Sequence, residues 1–210
     1  EKAMRERNRL LKEKIHNDHW YNALEIEMAK SAVLIQKARL KTVKYLSEAQ
    51  KNLTGKFPKA ELLLVDPNQI ITDEEEALQL LKGSRSSDMM LGRTSVGPHK
   101  SDLQAIYEDK LTLAKDCSTG EQKAILISII LANVKSLAKI NNISPIVLLD
   151  EVSAHLDKDR QAALYNEICD LGVQAWMTGT GPELFSELKN KAQFIEVSTI
   201  DGISKLSISN

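Results

Sequence analysis

An apolar run from Ile146 to Leu149 ends without transition in two adjacent carboxylates, Asp150 and Glu151. A run with no polar alternation calls for cover on both sheet faces, the setting of a parallel strand between helices. Just upstream, "STGEQKAILISIILANVKSLAKIN" from Ser118 onward has the pattern of a long helix with a wide apolar face. Downstream, "DKDRQAALYNEICDLG" predicts a helix stopped at Gly172, and "VQAWMT" another buried strand. Helix, strand, helix, strand in that order specify a parallel α/β sheet. "QFIEVS" and "SKLSIS" predict a closing hairpin.

The first part of the chain has a different character. Residues 1–53 contain neither Gly nor Pro and are rich in Ala, Leu, Glu, Lys and Arg, which predicts helix. A break is expected at Asn17-Asp18, with Asp18 as the cap of a second helix. In that helix Leu24, Met28, Ile35 and Ala38 form the expected buried stripe. "AELLLVDP" suits a short strand closed by Pro67. "TDEEEALQLLKG" carries a capping box, Thr72 with Glu75, and Gly83 as its terminator, before a loop rich in Ser and Arg. "GRTSVGPHKSDLQAIYEDKLTLAKD", with Gly-Pro punctuation and alternation at Leu103, Ala105 and Tyr107, predicts antiparallel strands. The expected division is a mainly helical arm over residues 1–90 and an α/β lobe over 91–210.

Composition narrows the function classes. With 42% hydrophobic and 27% charged residues, the 210-residue chain is of ordinary globular type. Aromatics at 4% argue against a base-stacking platform. A net charge of -1 means that any nucleic-acid contact comes from a local basic patch. Two cysteines, Cys117 and Cys169, fit a reducing cytosol rather than a disulfide framework. No apolar run approaches the roughly 18–20 residues of a membrane helix. The chain begins at Glu1 in what reads as mid-helix, so a C-terminal piece of a longer protein is expected.

The acids suggest chemistry. A carboxylate at the carboxyl end of a parallel strand lies where α/β sheets bind ligands. Asp150 there suits Mg²⁺, a hard ion that prefers oxygen ligands. Glu151 is placed to polarise a water for attack on phosphate. The bland alternative is a buried strand ending in a solvated acidic turn. Ser118-Thr119-Gly120-Glu121 starts the long helix, with Ser118 as cap and Gly120 allowing close approach to the backbone. A helix N-terminus favours phosphate, although a plain helix start is the commoner meaning of Ser-x-x-Glu.

Taken in order, these segments resemble the head of ABC-type ATPases. "STGEQ" resembles their signature, and "IVLLDEVSAHLD" their Walker B strand and D-loop. Among such heads, "GRTSVGPHKSDL", "RERNRLL" and "WMTGT" resemble the RecF family. The resemblance implies ATP sandwiched in a homodimer. Ser118, Thr119, Gly120, Glu121 and Gln122 would contact nucleotide in trans, Asp150 would hold magnesium, and Glu151 would be catalytic. Ser153 and Asp157 would lie at the dimer seam. Thr178 and Thr180 stand where many such heads carry a histidine that senses the γ-phosphate. Implied partners are duplex DNA and single/double-strand junctions, bound without sequence preference, together with RecR and RecO, in the cytoplasm. Arg5, Arg7, Arg9, Lys37, Arg39 and Lys41 are the candidate DNA contacts, set against a merely solvated helix face.

Two departures matter. Thr119 replaces the usual signature glycine, and no Gly-x-x-x-x-Gly-Lys-Ser/Thr loop occurs in the sequence. Hydrolysis is therefore expected only with a second half that carries that loop. Two alternatives stay open: the head of another chromosome-maintenance ATPase, and a non-catalytic dimerisation or DNA-binding remnant. His16, His19 and His155 lack metal-ligand spacing, and His99 is expected in a structural bond. Cys117 is expected to be packed rather than nucleophilic, and Trp20 and Trp176 to be core or interface residues.

Overall fold

The computed structural model describes residues 1–53, 57–141, 144–151, 156–188, 190–200 and 202–209. It divides into two compact units, residues 1–48 with 60–116, and residues 49–59 with 117–210. The division falls at 116/117, downstream of the expected 90/91, because the strands after residue 91 pair with an earlier one.

The first unit begins with helices α1 (Lys2–Lys12) and α2 (Asp18–Lys51). Asn17, not Asp18, supplies the cap: its Oδ1 accepts from the Trp20 N–H at 3.2 Å. Strand β1 (Ala60–Val65) is followed by helices α3 (Glu74–Gly83) and α4 (Arg85–Leu91). The expected Thr72 capping box is replaced by Asp73, whose side chain accepts from the Glu76 N–H at 2.9 Å. Gly83 does not terminate the unit's helices, since the Ser/Arg stretch expected as a loop forms α4. The stop comes at Gly92, in the left-handed region with φ +65°. Strands β2 (Asp102–Tyr107) and β3 (Thr112–Leu113) complete an antiparallel sheet of order β1-β2-β3, with Ala60 opposite Tyr107 and Ile106 opposite Leu113.

The buried face of α2 includes Tyr21, Glu25, Ala29, Val33 and Gln36; of the predicted stripe, Leu24 and Met28 are half-buried at its margin and pack against the core, while Ile35 and Ala38 are exposed. Hydropathy alone misplaces the stripe because a glutamate lies on the inner face. Glu25 is buried because two guanidiniums meet it. Arg7 Nε donates to Glu25 Oε1 at 3.0 Å, and Arg85 Nη2 to Glu25 Oε2 at 2.5 Å. Arg7 also donates to Asp88 Oδ2 (2.6 Å), Thr94 Oγ1 (2.9 Å), the Leu81 carbonyl (3.0 Å) and Ser84 Oγ (3.4 Å). All the guanidinium nitrogens are engaged, which is the condition under which a buried cation is tolerated. Arg7 is 0% exposed, so the expectation that it contacts DNA is overturned. Arg39 donates to the Pro98 carbonyl, and Arg9 pairs with Glu6. His99 bonds the Thr94 carbonyl at 3.2 Å, the structural bond expected of it.

The second unit holds α5 (Thr119–Asn141), β4 (Val147–Leu149), α6 (Lys158–Leu171), β5 (Ala175–Met177) and the hairpin β6 (Phe194–Ile200) and β7 (Ile203–Ser209). Strands β4 and β5 run parallel, with Val147 opposite Ala175 and Leu149 opposite Met177. Val147 and Leu149 pack with Ala124, Ile127 and Leu131 of α5 and with Leu164, Tyr165 and Ile168 of α6. Only that face of the two strands is covered among the described residues. Ile146, Leu148 and Trp176 are 62%, 75% and 54% exposed. Full burial of both strands, and a core place for Trp176, are therefore corrected. Trp20 is exposed as well.

Removing one member of a buried ion pair strands its partners, a loss of about 3–5 kcal/mol. Arg7→Met is expected to lose that much, read from urea unfolding. Burial by itself would raise the Asp88 pKa, but hydrogen bonds from Ser95, Arg7 and Ser84 outweigh it and hold its carboxyl below the usual carboxylate range. A carboxylate depressed in this way stabilises fully above its unfolded pKa, and that contribution fades as pH falls through the folded value. The thermal midpoint is expected to drop below about pH 4, and to drop less steeply in Asp88→Asn.

Candidate nucleotide site

The site forms at two tips of the second unit. At the first, α5 begins after Ser118. The Glu121 side chain folds back, and its Oε2 accepts from Ser118 N at 3.1 Å and from Ser118 Oγ at 2.9 Å. The Gln122 N–H donates to the Ser118 carbonyl at 2.9 Å, the first turn of helix, and Gln122 Nε2 donates to the Cys117 carbonyl at 3.1 Å. The Ser-x-x-Glu pairing predicted from sequence is present, and its Ser118 and Thr119 stand exposed.

Gly120 shows a further property. Its φ lies outside the left-handed region, and a Cβ built there would meet Arg160 Nη1 at 3.7 Å, an ordinary contact. Neither backbone conformation nor internal crowding requires glycine. A glycine inside a helix costs roughly 0.5–1 kcal/mol relative to alanine. Its use fits the approach of something external to the backbone.

At the second tip, β4 ends in Asp150 and Glu151, both exposed. The Thr178 N–H extends the parallel ladder by donating to the Leu149 carbonyl at 3.0 Å. Its Oγ1 donates to Asp150 Oδ1 at 2.5 Å and accepts from the Glu151 N–H at 3.0 Å. Glu151 has φ +48°, the left-handed region, where a side chain costs roughly 1–2 kcal/mol. Strain of this kind gathers at functional sites.

Asp157 is the N-cap of α6, its Oδ1 accepting from the Arg160 N–H at 2.9 Å. Its Oδ2 lies 3.6 Å from Arg160 Nε. Arg160 thus stands between the α6 cap and Gly120, a placement the sequence reading missed. Its only sequence signal is the Asp-x-x-Arg spacing. Ser153 and His155 lie outside the described residues. Thr180 is exposed and follows the Thr178 bridge by two residues. The structure brings Asp150, Glu151 and Thr178 together at one tip, and Ser118, Gly120, Glu121 and Arg160 at the other.

As a cation site, the acid tip offers Asp150, one of whose oxygens is held by Thr178. No group of three or more His, Cys, Asp or Glu side chains suited to a metal ion occurs among the described residues. One carboxylate with room beside it suits Mg²⁺, which takes one or two carboxylates and completes its shell with water and phosphate oxygens.

No family model matches the sequence. Curated relatives do. The DNA replication and repair protein RecF of Mesorhizobium japonicum is 42% identical over 206 residues, 94% of this chain and 54% of its own length. The DNA replication and repair protein RecF of Rickettsia typhi is 41% identical over 200 residues, 92% of this chain and 56% of its own length. Over nearly its whole length the chain is similar to the DNA replication and repair protein RecF. It spans about half the length of the curated RecF proteins it matches.

The fold agrees with that similarity. The solved structure of the recombination mediator protein RecF with ATP superposes with a TM-score of 0.75 at 21% identity, over 98% of this chain and 56% of that one. An SMC head bound to the C-winged helix domain of ScpA gives 0.53 at 16% identity, over 90% of this chain and 49% of that one. The fold is that of an α/β ABC-type ATPase head. No helix among the described residues is long and apolar enough to cross a membrane.

Because Gly120 is not required by its surroundings, Gly120→Ala is expected to leave the thermal midpoint unchanged or to raise stability by up to about 1 kcal/mol. Differential scanning calorimetry checks this.

Proposed function

We propose that this chain supplies the signature and acid-tipped strand of a RecF-type, ATP-dependent DNA-binding protein of recombinational repair and replication-gap processing. The observation that carries the reading is Asp150 and Glu151 side by side at the carboxyl end of β4, clamped to the neighbouring strand by Thr178. Two protomers close on ATP. Ser118, Thr119, Gly120, Glu121 and Gln122 of one face the γ-phosphate held by the other, through the positive end of α5. Asp150 holds Mg²⁺, which shields charge on the phosphates. Glu151 accepts a proton from the attacking water. Asp157 lies toward the dimer seam, and Thr180 toward the γ-phosphate.

The phosphate-cradling loop comes from a complementary half, since the sequence contains no Gly-x-x-x-x-Gly-Lys-Ser/Thr. The apolar face of Ile146, Leu148 and Trp176 suits a sheet that further strands or helices complete. Hydrolysis therefore belongs to the joined halves, working in the cytoplasm with RecR and RecO as partners. Duplex DNA and single/double-strand junctions are held through phosphates, without sequence reading. On α2, Lys30, Lys37, Lys41 and Lys44 are all exposed and recur at seven, four and three residues, which places them on one face. Together with Arg5 they replace Arg7 as the leading phosphate contacts.

A second reading, a non-catalytic dimerisation or DNA-binding module, is favoured by that same missing loop. Two variants of the complete protein carrying this chain separate the readings. Glu151→Gln is expected to permit ATP-dependent dimers, trap them, and lower turnover by at least about 100-fold, in the range of a lost general base. Ser118→Arg is expected to abolish ATP-dependent dimerisation in light scattering. Unchanged turnover in the first removes Glu151 from catalysis, and normal dimers in the second refute the trans contact. A wild-type protein that dimerises without hydrolysing ATP supports the second reading.

A further inference from the structure

Resting on the reading above, we infer that Thr178 is a positioning residue for the two acids rather than a sensor of phosphate. Three bonds place it. Its N–H donates to the Leu149 carbonyl at 3.0 Å, which fixes its backbone against the end of β4. Its hydroxyl donates to Asp150 Oδ1 at 2.5 Å and accepts from the Glu151 N–H at 3.0 Å.

A threonine has one hydroxyl proton. Here that proton is on the Asp150 bond, so it is not offered to a phosphate. The bond fixes the rotation of the carboxylate and leaves Oδ2 for a cation. Branching at Cβ limits the side chain to few rotamers, so the hydroxyl is itself held in place. The second bond anchors the Glu151 backbone at φ +48°, a conformation that an unanchored glutamate would leave. One side chain therefore sets both the carboxylate that meets the metal and the turn that aims the next acid. Outer-shell bonds of this kind orient metal ligands, and their loss typically lowers metal affinity about 10–100-fold.

The test uses Mn²⁺ as the probe. Its binding to the complete protein carrying this chain is titrated by electron paramagnetic resonance, with a non-hydrolysable ATP analogue present. Thr178→Val, close in shape but without the hydroxyl, is expected to weaken Mn²⁺ binding about 10–100-fold. Thr178→Ser is expected to restore most of that affinity, because it keeps the hydroxyl. Asp150→Asn serves as the reference for loss of the ligand itself.

If Thr178→Val binds Mn²⁺ like wild type while Asp150→Asn does not, the positioning role is overturned and the metal assignment stands. Equal weakening by Val and Ser also overturns it, since the hydroxyl is then not the cause. If Asp150→Asn binds Mn²⁺ unchanged, the metal assignment fails and the inference fails with it. Should the valine variant not fold, Thr178→Ala takes its place, with the same weakening expected and wild-type Mn²⁺ affinity refuting the role.

Discussion

Three residue pairs of parallel strand, from Val147 with Ala175 to Leu149 with Met177, position the candidate chemistry of the second unit. The ladder ends with the Thr178 N–H on the Leu149 carbonyl. From that point the two chains diverge, Asp150 and Glu151 on one and Thr178 on the other. The register is held by the packed face, where Val147 and Leu149 meet α5 and α6. A slip of one residue would turn Leu148 inward and carry both acids away from Thr178. Core packing and site geometry are thus one constraint, enforced on a strand only three residues long.

The first unit is organised by charge instead. Arg7, Glu25 and Asp88 are fully buried, yet their hydrogen bonds join α1, α2, α4 and the segment around Thr94 and Ser95. A hydrophobic core of the same shape can match such a network in stability, but it would not specify which helix faces which. Every partner accepts from a fixed donor, so rotation of α2 by one position breaks several bonds at once. Arg85 extends the network outward to Asp18 and Asn22, with Tyr21 beneath its guanidinium. This explains how a helix whose inner face includes Glu25 and Gln36 stays seated.

Legibility in the sequence followed the same division. Elements marked by local chemistry were readable: the break before α2, α5 after Ser118, α6 ending at Gly172, the closing hairpin. The acids at Asp150 and Glu151 were readable too, because an apolar run that stops at a charge marks a strand tip. What failed were inferences from side-chain type to burial. Arg7 looked like one of several surface cations, and only its distant partners Glu25 and Asp88 show otherwise. Leu148 and Trp176 looked buried, since an apolar residue does not reveal whether its cover lies within the same stretch of chain. Thr178 bonds residues 27 and 28 positions away in sequence, and Arg160, although it pairs locally with Asp157, also approaches Gly120 of another helix; no local pattern encodes such long-range pairings.

Two positions at the site break local preference in opposite directions. Gly120 is a glycine where the backbone does not ask for one, inside the first turn of a helix that alanine would favour. Glu151 is a glutamate where the backbone would accept glycine more readily, at φ +48°. Each choice costs folding stability, and each sits at a tip that faces outward rather than into the core. Lys14 and Leu111 of the first unit also take positive φ, at 53° and 50°, so the strain at Glu151 points to a ligand only in company with the Asp150 carboxylate and the Thr178 clamp beside it. Gly120 removes bulk at the end of a helix dipole, and Glu151 keeps a carboxylate in a turn that glycine would make easily but without chemistry.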